Sequence, residues 1–223
     1  FPLFFFISFA GGLSLRAACD DATRARLSFV TSVGGHHELA RVSRYLALDE
    51  LTTPEGTRHE RSHDYGLVVI VYAYADRFVD AASLPTFRAA VRTFLHGDRR
   101  AAEREGAALT GDAAWLLGRL LAHDKSAVAP RVMAVLPELA AVMREASPAP
   151  CLTRVDVPVY LLHGAHDDVI PPTEARFAAQ ALEGHAPVHL ALTSVVDHVT
   201  VQRNPSARQR WEVVHFMAGM LGE

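Results

Sequence analysis

The sequence predicts an α/β fold, a mostly parallel sheet flanked by helices and interrupted by a helical cap insertion. Three observations predict it. Short runs rich in β-branched and aromatic residues occur near the start of the chain and again near its end, and segments of good helix formers follow them. A long Ala- and Arg-rich stretch separates the two groups. Strands that alternate with helices favour a parallel sheet covered on both faces.

In chain order, Phe4-Phe5-Phe6-Ile7 closes an apolar run, Ser8 follows, and Gly11-Gly12 lead into Leu13-Ser14-Leu15-Arg16-Ala17-Ala18, a proline-free run of helix formers. Residues 26–33 (Arg-Leu-Ser-Phe-Val-Thr-Ser-Val) read as a second buried strand that stops at Gly34-Gly35. Residues 36–150 are mostly helical, punctuated by Thr53-Pro54-Glu55-Gly56, Leu84-Pro85 and Ser147-Pro148-Ala149-Pro150. Within them, residues 68–74 fit a strand or a buried helix by periodicity, and helix is preferred. Residues 157–164 predict a central buried strand, residues 172–183 a helix closed by Gly184, and residues 188–193 a further strand. Asn204-Pro205 opens the last helix, with Trp211, Val214, Ala218 and Leu221 as its expected buried stripe. The expected organisation is a core of residues 1–35 and 151–223 with residues 36–150 as a cap.

With 223 residues, half of them hydrophobic, the chain has enough apolar material for a real core. A net charge of −3 with scattered Lys and Arg gives no footprint for nucleic acid or an anionic membrane surface, and no apolar run reaches the ~18 residues of a membrane span. Cys19 and Cys151 are the two cysteines, too few for a disulfide framework. They are expected to be reduced thiols, which favours a cytoplasmic location. The chain begins at Phe1 inside an apolar run and is expected to be the C-terminal portion of a longer polypeptide. The competing reading, a signal-peptide core over residues 1–10, lacks a basic stretch ahead of it.

Three segments carry chemistry. Ile7-Ser8-Phe9-Ala10-Gly11-Gly12 sets a serine between strand and helix, where a nucleophile elbow presents its hydroxyl. Leu162-His163-Gly164-Ala165-His166-Asp167-Asp168-Val169-Ile170-Pro171 puts carboxylates just past a strand's C-terminal end, the edge at which parallel sheets assemble sites. Ser194-Val195-Val196-Asp197-His198 puts a histidine after the last strand, on that same edge.

Together these segments resemble the α/β-hydrolase family, whose triad runs Ser, acid, His, the order of Ser8, Asp167 and His198 here. The most specific part of the match is the His-Gly-x-x-Asp-x-x-[Val/Ile]-Pro pattern over residues 163–171, which makes Asp167 the acid and leaves Asp168 as a helix-capping residue. The resemblance covers residues 4–35 and 155–223; the family's early strands and oxyanion loop have no counterpart. It implies serine hydrolase chemistry on a carboxylic ester or related acyl bond of a small-molecule substrate, with no cofactor or metal and with the Phe9 backbone N–H as one oxyanion donor. The family's Gly-x-Ser-x-Gly is replaced by Phe6-Ile7-Ser8-Phe9-Ala10. Phe6 is expected to face the incoming helix and force the turn open, so a catalytically impaired small-molecule-binding module is the alternative.

Each of these residues also has an ordinary reading. Ser8 alone fits a helix N-cap, and His198 alone fits a packed or surface histidine. His36-His37-Glu38 and the His59/His63 pair suggest a metal cluster, but neither has a third ligand at a suitable spacing, and twelve histidines make chance pairs common. By the family pattern His36 and His37 are placed at the pocket mouth, whereas His163 and His166 are structural. Phe87, Phe94, Trp115, Leu116 and Leu120 of the cap read first as core.

Overall fold

The computed structural model describes residues 4–195 and 205–222. In chain order the elements are β1 (Phe4–Ile7), α1 (Phe9–Ala18), α2 (Asp21–Arg24), β2 (Val30–Val33), α3 (Leu39–Leu48), β3 (Glu50–Thr53), β4 (Gly56–His59), α4 (Asp64–Ala73), α5 (Leu84–Leu95), α6 (Arg99–Glu105), α7 (Gly111–Leu121), α8 (Lys125–Ala146), β5 (Val159–Gly164), α9 (Thr173–Leu182), β6 (Val188–Thr193) and α10 (Ala207–Leu221). The fold is α/β: a four-stranded, all-parallel sheet in the order β1-β2-β5-β6 with helices against it. Its register runs Phe4↔Val30↔Val159↔Val188, so all four strands end at the same edge.

The chain divides into two units, one of residues 1–42, 51–58 and 140–223, the other of residues 43–50 and 59–139. In the first unit, alternation along β2 and β5 sends side chains to two cores. Val30, Val159 and Leu161 pack with Leu15, Ala18 and Cys19 of α1 and with Ala178 and Leu182 of α9. Phe29 and Tyr160 pack with Phe216, Met217 and Met220 of α10. β5 is buried at every position, as a strand flanked on both sides and covered on both faces must be.

Several expectations are corrected. The inward face of α10 is Phe216, Met217 and Met220, while Trp211 and Val214 are 68% and 55% exposed and Ala218 is exposed as well. This helix carries two apolar stripes, and Tyr160 and Phe29 select the one with the larger flexible side chains. The α10 N-cap is Ser206, in a capping box with Gln209; the expected Asn204 lies outside the described residues. Cys19 and Cys151 are joined in a disulfide, their Cα atoms 5.8 Å apart, because the end of α1 and the segment before β5 meet in one core. The expectation of reduced thiols is thus overturned, and the cytoplasmic placement loses that support. The second strand is shorter than expected, residues 25–29 forming no strand of their own.

In the second unit, residues 68–74 fall in or next to α4, whose buried side includes Leu67, Val68, Ile70 and Val71. His63 caps that helix by accepting the Tyr65 N–H, which accounts for one of the sequence's suggestive histidines. Phe87, Leu116 and Leu120 are core, and Trp115 lies under the Arg131 guanidinium at 4.3 Å. The hairpin β3-β4, which lies mostly in the first unit and turns at Pro54-Glu55, was not foreseen within the helical stretch. Helix α8 is long and apolar enough to cross a membrane by length and composition, with a mean hydropathy of 1.4 over its most apolar window.

Candidate active site

Ser8 stands between β1 and α1 with φ 62° and ψ −140°, a left-handed backbone that a non-glycine residue adopts only when its surroundings impose it. The surroundings are specific. The Ser8 N–H donates to the Val33 carbonyl at 2.7 Å, continuing the β1-β2 ladder one residue past its end, and the Ser8 carbonyl accepts the Gly11 N–H at 2.8 Å. The chain must therefore reverse within one residue. Although Ser8 occupies the N-cap position of α1, its side chain makes no capping hydrogen bond, so the ordinary N-cap role does not account for it. Phe9 opens α1, and its amide is among those that a helix start leaves without an intrahelical acceptor.

Close backbone approach makes this turn possible. A Cβ on Gly35 would lie 2.6 Å from the Gly12 nitrogen and 2.7 Å from the Gly11 carbonyl carbon. The demand for small residues thus falls on Gly11, Gly12 and Gly35, which explains how Ala10 is tolerated. Phe6 pairs in register with Ser32, its side chain is 40% exposed, and the ladder past it is unbroken. A Cβ on Gly11 would lie 3.2 Å from the Phe6 carbonyl oxygen, so the strand and helix backbones stay close and the expected opening of the turn is not seen.

Asp167 lies in the loop after β5 and is 3% exposed, whereas Asp168 and His166 are exposed. One Asp167 oxygen, Oδ1, accepts the N–H groups of Val169 (3.0 Å) and Ile170 (2.9 Å). The other, Oδ2, stands 3.4 Å from His163 Nε2 and 3.5 Å from where a Gly34 Cβ would sit. His163 donates its Nε2 proton to the Ile170 carbonyl at 2.7 Å, since a carbonyl only accepts, and so holds the loop from within the sheet. Asp168 provides no cap for α9, whose N-cap is Pro172. The Val33-Gly34 segment thus carries the hydrogen bond to Ser8, and a side chain added at Gly34 would meet Asp167. His198 lies outside the described residues.

No protein-family model matches this chain, and no curated protein does.

His36 is corrected from the pocket mouth to the interior, and His37 is partly buried. His36 is 1% exposed and donates its Nε2 proton to the Ala146 carbonyl at 3.1 Å, leaving Nδ1 buried without a partner among the described residues; burial pushes its pKa down. His37 accepts an Arg41 N–H at Nδ1, so its proton sits on Nε2, an atom that is also buried and has no partner among the described residues. Burial lowers the His37 pKa to about 4, outweighing the nearby Glu174 carboxylate, so both imidazoles are neutral at pH 7. Among the described residues no three His, Cys, Asp or Glu side chains are grouped to hold a metal ion.

Sequence reasoning missed Glu174, in the first turn of α9 and fully buried. It accepts the backbone N–H groups of His37 (2.9 Å) and Glu38 (2.8 Å) and takes Arg41 Nε at 2.6 Å and Nη2 at 3.1 Å. Arg41 is also stacked on Phe177 at 4.1 Å. The one local signal was an acidic residue directly after Pro171-Pro172-Thr173, which reads equally as a favourable helix-dipole charge. A separate open groove of about 560 Å³ belongs wholly to the second unit, lined by Asp49, Arg61, Asp64, His123 and Lys125 among others.

Proposed function

We propose that this protein is a serine hydrolase of α/β-hydrolase type that cleaves a carboxylic ester or related acyl bond. The observation that carries the proposal is the Ser8 backbone: a serine held at positive φ between a parallel strand and a helix, at the same sheet edge as a buried, doubly hydrogen-bonded carboxylate. In this reading His198 takes the Ser8 proton as Oγ attacks the acyl carbonyl, and Asp167 orients and stabilises the imidazolium. The Phe9 N–H supplies one donor to the oxyanion. Collapse of the tetrahedral adduct returns the proton to the leaving group and leaves an acyl-Ser8. Water, deprotonated by His198, then releases the acid. No cofactor takes part in this reading.

A fluorophosphonate probe tests the reading. It should add one phosphonyl group, located at Ser8 by peptide mass, and Ser8→Ala should abolish the labelling. A folded protein that stays unlabelled and turns over no chromogenic short-chain ester would instead be a binding module.

A further inference from the structure

We infer that Glu174 is a positioning residue: it clamps the loop after β2 to the start of α9 and thereby sets the Asp167 loop against Ser8. The inference rests on the reading of Ser8 and Asp167 as nucleophile and acid. Two loops leave the sheet at this edge on either side of the β2-β5 pair. The first, Gly34 to Glu38, is tied to Ser8 through the Val33 carbonyl and through the contact of Gly35 with the backbone of Gly11 and Gly12. The second runs from Asp167 to Thr173 and is rigid in itself, since Asp167 caps Val169 and Ile170 while His163 holds the Ile170 carbonyl.

Glu174 joins them. Its carboxylate starts α9 at the end of the second loop and collects two consecutive amides from the first, with Arg41 filling its remaining lone pairs. A fully buried carboxylate is costly unless every acceptor site is used, and here the donors come from the element whose position matters. The clamp therefore converts a buried charge into a fixed distance between the two loops.

The experiment compares the whole protein with Glu174→Gln and, because a buried neutral amide facing Arg41 could unfold the chain, with Arg41→Lys, which keeps the charge and loses the two-nitrogen grip. Two readouts are taken on folded samples: amide hydrogen exchange of the peptide spanning residues 167–172, and the rate of fluorophosphonate labelling of Ser8. The clamp predicts faster exchange at Val169 and Ile170, which Glu174 does not touch, and labelling slowed by roughly tenfold to a hundredfold, the usual consequence of misplacing a reacting group by about 1 Å. Faster exchange confined to His37 and Glu38, with labelling at the wild-type rate, would overturn it. Absence of labelling in the wild type would defeat the proposed function, and the exchange at residues 167–172 would still decide whether the clamp exists.

Discussion

Cys19 and Cys151 are bonded across a sequence separation of 132 residues, joining the end of the Ser8 helix to the segment that leads into β5. Closing so long a loop restricts the unfolded chain, so Cys151→Ser is expected to lower stability by about 2–4 kcal/mol. Urea midpoints of wild type, reduced wild type and variant check this, and the last two should coincide. Two titratable thiols in unfolded, unreduced protein would count against the bond.

The contrast between Asp167 and Asp168 gives a second expectation. Asp167→Asn should cut turnover by roughly three to four orders of magnitude, because the amide disfavours the imidazolium and the required tautomer. Asp168→Asn, at an exposed position, should leave kcat/KM within about twofold. Steady-state hydrolysis of one chromogenic ester decides between them.

The interior histidines make stability depend on pH. His37 titrates near 4 when folded and near 6.5 when unfolded, so the unfolded chain binds the extra proton between these values. Stability is therefore complete above about pH 6.5 and falls by roughly 3 kcal/mol as pH drops to 4, with His36 acting in the same direction. Urea midpoints at pH 7.5 and 4.5 should differ less in His37→Gln, whose carbonyl still accepts from Arg41. An unchanged difference would refute the assignment.

In the second unit, Lys125 Nζ donates to Asp49 Oδ1 (2.6 Å) and to Ser62 Oγ (2.7 Å), and Ser62 donates its own N–H to Asp49. Burial raises the Asp49 pKa, but Lys125 and the Ser62 donors outweigh it and hold the carboxyl below its ordinary value. The stabilisation is present above about pH 4 and lost as pH falls through the folded value. Asp49→Asn keeps a side chain that tolerates the positive φ of 57° at this position. It should cost about 1 kcal/mol at pH 7, with solvent screening keeping the effect small, and progressively less as pH falls through the folded value. Thermal melts at pH 7 and at successively lower pH measure it.

Two glycines should respond in opposite directions. Gly35→Ala puts a methyl against the backbone of Gly11 and Gly12 and should cost more than about 2 kcal/mol while slowing labelling of Ser8. Gly118→Ala meets nothing within 4 Å on helix α7 and should add about 0.5–1 kcal/mol. Chemical denaturation of the pair tests both.

The parts of the fold legible in the sequence were those in which burial is continuous along the chain. β5 reads as a strand because every residue is covered, and the Asp167 turn reads as a site loop because it follows such a run. The hairpin was illegible because β4 is exposed throughout and shows no alternation. The inward face of α10 was illegible because both of its stripes are apolar, and only Tyr160 and Phe29 choose between them. Phe6 was misjudged because the pattern gives its distance from Ser8 but not how exposed its ring is. The Glu174–Arg41 pair spans 133 residues, and no local pattern announces such a contact.

The discontinuity of the first unit has a consequence for synthesis. β2 leaves the ribosome long before β5, its partner, and all of the second unit is made in between. At roughly 5–20 residues per second, this leaves the growing chain for several seconds with β2 unpaired on one edge and Cys19 a lone thiol. Through that interval β1, α1 and β2 wait as an unfinished sheet. The nascent chain is therefore most exposed to mispairing and to wrong thiol chemistry in the interval that ends when Cys151 and β5 emerge.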